Sequence, residues 1–173
     1  MGLMSVFGIG MLIIIMILIK KQSLIEVVGN HLIVQKIAEK QWFHHKWRSG
    51  LFLFVLNAVL FLFAIGLIFL SGLLMVPYLH ILVMLSATLT SIYLWIAIRV
   101  SVQRPKKDQL VMGLLGSSFY VILFLIFLYL FMTLGPATLE HDTFMDAIGL
   151  KLGMVVAFVA WMTCFFITAF QKK

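Results

Sequence analysis

Residues 51–70 read LFLFVLNAVLFLFAIGLIFL, twenty positions with no charge and a single amide, Asn57. A helix rising about 1.5 Å per residue needs about 20 apolar residues to cross a hydrocarbon core of roughly 30 Å. The stretch therefore predicts a membrane-spanning helix. Just before it stand Trp42, Phe43, Lys46, Trp47 and Arg48. Amphipathic rings interleaved with cations are the usual interfacial anchor where a span enters the headgroups.

Four further apolar runs flank this one, at about 2–19, 78–98, 110–134 and 148–170. The expected fold is an all-α integral membrane protein, one multi-pass domain over residues 1–173, built as a bundle of five transmembrane helices. Residues 71–77 form an uncharged turn containing Gly72 and Pro77, so short that its flanking helices must be antiparallel neighbours. Pro105 prevents the third and fourth spans from becoming one helix, and Gly135-Pro136 closes the fourth. The connection over 20–50 is the longest. It opens with a capping-box spelling at residues 23–26, but residues 31–48 show no clean apolar stripe, which leaves an interfacial helix there undecided.

Composition agrees with a lipid solvent. The chain of 173 residues is 64% hydrophobic and 11% charged. A soluble domain is nearer half apolar and a quarter charged, and one of this size cannot hide such an excess in one core.

Charge then orients the chain. The basic residues fall at 20–21, 36–48, 99–107 and 172–173. The intervening connections, 71–77 and 135–147, contain no Lys or Arg, and the second carries Glu140, Asp142 and Asp146. Cytoplasmic loops carry the excess of Lys and Arg, so the pattern predicts an N-terminus outside and a C-terminus in the cytoplasm, in the cell membrane. Lys151 is the exception, less than a turn into the last span, from where it can snorkel to the outer headgroups. Lys20-Lys21 follow the first apolar run rather than precede it, which predicts an uncleaved span and not a secretory signal. The formal charge of +7 lies beside apolar runs. That placement points to the lipid bilayer as partner and away from nucleic acid.

The polar and small residues inside the spans are the candidate sites. Gly149, Gly153 and Ala157 recur at i, i+4, i+8 and predict a groove for close helix approach. Packing within the bundle is its plainer use; a dimer or partner interface is the other. Ala87 and Ser91 repeat the spacing in the third span, and Ser86 and Thr90 add hydroxyls, read as structural glue before substrate pathway. Asn57 is costly in hydrocarbon unless paired, which predicts an interhelical hydrogen bond. His80 is the one histidine within a span, near its outer end, with no second histidine placed to complete a haem ligand pair. The triplet Glu140-His141-Asp142 is ordinary loop composition before it is a chelate. Cys164 is the sole cysteine and reads as a small hydrophobe.

No Asp or Glu lies inside any predicted span, where a proton- or sodium-coupled carrier usually needs one. There is no Gly-rich phosphate loop, no HExxH and no GxSxG. The expected function is therefore non-catalytic, without a cofactor or metal. It is that of a small multi-pass accessory or regulatory protein: a complex subunit, an assembly factor or an immunity-type protein. Such a protein works with a membrane-protein partner or as a homo-oligomer. The alternatives are an oligomeric transporter or pore component, and a membrane-embedded enzyme or haem carrier using His80.

Overall fold

The computed structural model describes residues 32–40, 43, 45–74, 78–102, 104–135 and 143–169. The first predicted span, Trp42 and residues 136–142 lie outside them. The described chain is helical throughout, with no strand. A short helix α1 (Leu32–Ala38) precedes four long ones: α2 (Lys46–Leu73), α3 (Leu79–Ser101), α4 (Lys106–Met132) and α5 (Thr143–Ala169).

All four long helices are long and apolar enough to cross a membrane. Only 11% to 33% of each most apolar window is buried inside the protein. The remaining apolar surface has no protein cover in the described chain, which makes lipid its solvent. At 28 residues α2 is about 42 Å long, so its first turns extend beyond the hydrocarbon core. The helices begin four to five residues earlier than the apolar runs 51–70, 110–134 and 148–170, because polar residues continue the helix after the apolar pattern stops. Lys46 and Lys106 open α2 and α4, and Pro105 is the residue before α4, at φ −60°, where its ring is preorganised for a helix start. The turn between α2 and α3 is completed by Tyr78 at φ 64°, a left-handed conformation strained for a side chain with a Cβ.

The long helices form a ring in the order α2, α3, α5, α4. The α4/α5 seam is the most extensive, α2/α4 follows, and α3/α5 is the most thinly packed; α1 lies against α3. Burial is uneven along the axis. One end, here the basic end, carries Lys46, Arg48, Arg99, Arg104, Lys106 and Lys107. Buried residues gather toward it: Ser49, Gly50, Leu53 and Asn57 on α2, Trp95 to Arg99 on α3, Gln109 to Tyr120 on α4, Thr163 to Ala169 on α5. Beyond Asn57 the described part of α2 buries only Ser71, and before Trp95 α3 buries only Val83.

Small residues explain where the ring closes. A Cβ added at Gly116 would lie 2.2 Å from the Leu53 Cδ2, and one at Gly113 would lie 2.9 Å from the Thr168 Oγ1. Gly50 is held as closely, against Leu115. Membrane helices associate through such close approach because lipid gives them no hydrophobic drive to associate.

Candidate functional site

Asn57 stands at the centre of the bundle, fully buried. Its amide Nδ2 donates to the Gly116 carbonyl at 3.0 Å and to the Cys164 Sγ at 3.8 Å. Its Oδ1 accepts from the Trp95 indole N–H at 2.8 Å and, at the long distance of 3.5 Å, from the Tyr120 hydroxyl. Two donors and two acceptor positions are thus all engaged, which is the full capacity of an amide. The partners come from α3, α4 and α5, so one side chain of α2 ties the whole ring together. The interhelical bond expected of Asn57 is present and serves four helices rather than two. Trp95 and Tyr120 meet edge to face at 6.0 Å, and Tyr120 continues to Phe119.

A cavity of about 370 Å³ lies above this network, between α3 and α5. Ala87, Ser91 and Trp95 form one wall, Val156, Ala160 and Thr163 the other. Leu60 and Ala64 of α2 and Tyr120 of α4 complete it. The seam opens there because small residues face each other across it. At the basic end the same seam is closed. The buried Arg99 donates from Nη1 to the Ile167 carbonyl at 2.9 Å, capping one of the last four carbonyls of α5.

The basic end has its own cluster. Phe43 is buried, edge-on to Phe52, and lies under the Arg104 guanidinium at 5.2 Å. Arg104 also donates to the Phe43 carbonyl and to the Met112 thioether. Burial lowers the Arg104 pKa, while the nearby Asp108 carboxylate opposes that shift. Lys46 pairs with Asp108 at 2.8 Å, a partly exposed bridge joining α2 to α4.

Several expected sites land elsewhere. Phe43 is not an interfacial ring but part of the core, because Arg104 and Phe52 enclose it. Trp47 and Arg48 are exposed, and Lys46 is half-buried in its ion pair. The groove of Gly149, Gly153 and Ala157 is not continuous. Ala157 is buried and a Cβ added at Gly153 would lie 3.1 Å from the Phe127 ring, but one at Gly149 would meet nothing within 4 Å. Ala87 and Ser91 line the cavity instead of packing on a neighbouring helix. Ser86 donates to the Val83 carbonyl of its own helix, one of the two uses open to a hydroxyl there, and Thr90 is exposed. His80 is exposed in the first turn of α3. Among the described residues no group of three His, Cys, Asp or Glu could hold a metal ion.

Sequence reasoning missed Trp95, Tyr120, Gly113, Gly116 and Arg99. The signal for Gly113 was available in Gly113 and Ser117 at i, i+4, the same spacing used to select Gly149 and Gly153. Nothing in the sequence pairs Trp95 with Asn57. No protein-family model, no curated protein and no solved structure matches the chain. What the geometry defines is a class: a helical membrane bundle with a polar knot at its centre and a side cavity.

Proposed function

We propose that the protein is a small accessory or regulatory subunit of the cell membrane, without catalytic activity, that works bound to another membrane protein. In this reading residues 2–19 form a fifth span, the N-terminus lies outside and the C-terminus is cytoplasmic. The observation that carries it is the filled bundle axis. Asn57, Trp95, Tyr120 and Cys164 engage one another there. Among the described residues, a bundle so plugged offers no passage along its axis, and its central polar groups are turned to each other rather than toward a substrate. The partner's place is the end opposite the basic cluster, where Leu62, Phe63, Phe69 and Leu73 are exposed along α2. The test is affinity purification of the full chain in mild detergent, with identification and quantitation of co-purifying proteins. A membrane protein at fixed stoichiometry is the expected result. A homo-oligomer alone would replace this reading with the pore.

A further inference from the structure

The cavity between α3 and α5 extends from Ala87 to Trp95 on one wall and from Val155 to Thr163 on the other. Nine residues of helix on each side, eight steps of about 1.5 Å, make it about 12 Å long. No charged side chain lines it. Its hydroxyls are largely engaged: Thr88 donates to the Met84 carbonyl at 2.8 Å, and Thr163 to the Val159 carbonyl at 2.7 Å. The Trp95 indole N–H is held by Asn57. The surface left facing the space is mostly carbon, with Ser91 the polar exception.

Water is a poor occupant of such a space. An apolar cavity of about 150 Å³ stays dry and takes benzene or xenon, and this one is more than twice as large. Left empty, it deprives its lining atoms of dispersion partners. Its mouth lies within the span, where Thr88 and Val156 are exposed beside the exposed Leu85 and Leu89. None of the described residues covers that mouth, so what lies against it in a membrane is hydrocarbon.

We propose that the α3/α5 cavity binds one acyl chain of a bilayer lipid, which enters sideways between Thr88 and Val156 and ends against Trp95. The occupant must be slender. A helix of about 10–12 Å diameter can cover the mouth but cannot enter a cleft pinned at its base by Arg99 and the Ile167 carbonyl. It must also be apolar, because a polar solute would lose its hydration for little more than the Ser91 hydroxyl. The site needs only the membrane setting and stands apart from the partner proposed above.

Trp95 reports on it directly, being 3% exposed and part of the cavity wall. The chain has four tryptophans, so Trp42→Phe, Trp47→Phe and Trp161→Phe together leave Trp95 alone. This full-length variant is reconstituted in phosphatidylcholine vesicles with bromine at mid-chain, and in unbrominated vesicles as reference. Bromine quenches indole emission only near contact, so a clear loss of Trp95 emission is expected. Ala160→Phe, or Ala87→Phe should the first fail to fold, fills the cavity and should restore the emission. Equal emission in the two vesicle types overturns the proposal and means that protein covers the mouth. Quenching that persists in the folded, filled variants overturns it too, since bromine would then reach Trp95 by another route.

Discussion

The indole N–H of Trp95 is 2.8 Å from the amide oxygen of Asn57, with both side chains withdrawn from lipid. One residue is on α2 and the other on α3, and their bond is the shortest link in the central knot. In hydrocarbon an unpaired donor finds no water to replace its partner. The first consequence is energetic. Asn57→Leu leaves the Trp95 N–H and the Tyr120 hydroxyl without their acceptor. It should lower stability by about 1–2 kcal/mol, the range for interhelical bonds and buried unpaired groups. Reversible unfolding in mixed detergent and dodecyl sulfate micelles measures this. Combined with Trp95→Phe, the loss should be less than the sum of the two single losses. Strict additivity would mean that the bond contributes nothing.

Glycines that look alike in sequence should behave differently. Gly116→Ala drives a Cβ into Leu53 and should cost about 1–3 kcal/mol by overpacking. Gly153→Ala meets only the Phe127 ring at 3.1 Å and should cost less. Gly149→Ala meets nothing within 4 Å and should be neutral, or stabilising by up to about 1 kcal/mol through helix propensity. Thermal unfolding of the three variants side by side ranks them. Equal losses would contradict the packing described here.

Arg99 should matter more for its donors than for its charge. The Ile167 carbonyl it caps is among those that α5 cannot satisfy internally. Arg99→Leu should cost about 1.5–3 kcal/mol, the range for a hydrogen bond to a charged group. It should also speed amide exchange in the last turn of α5. Arg99→Lys should recover only part of this, since an ammonium lacks the planar fork. Unchanged exchange in the leucine variant would remove the capping role.

Topology can be read chemically. Single cysteines at Gln35 and Gly135, in a Cys164→Ser background, are separated by α2, α3 and α4, and both positions are exposed. A membrane-impermeant thiol reagent applied to intact cells should label Gly135→Cys and spare Gln35→Cys, as the basic-residue asymmetry predicts. Gly2→Cys, at the outer end of the run, should behave like Gly135→Cys if residues 2–19 form a span. Labelling of both Gln35→Cys and Gly135→Cys from outside would refute the three intervening crossings.

How much of this was legible in the sequence follows from what each level of structure depends on. Spanning is a local property. The runs at 51–70, 78–98, 110–134 and 148–170 each carry enough consecutive apolar side chain to cross a membrane, and each coincides with one long helix. Hydrocarbon leaves a chain little choice but to satisfy its backbone internally. The cost of an unpaired Asn57 was equally local, so its need for a partner was legible, but not the identity of Trp95. That pairing joins positions 38 residues apart and depends on how two helices are rotated. The small-residue repeat of α5 shows the same limit. Spacing places Gly149, Gly153 and Ala157 along one helix face, yet only the thinning of the bundle away from its basic end leaves Gly149 open. The α3/α5 cavity is the clearest case. Ala87 and Ser91 stand out in sequence only by their spacing, and Ala160 does not stand out at all. They enclose space only because Arg99 and Gly116 hold the helices close at one level, and nothing bulky fills the seam at the next.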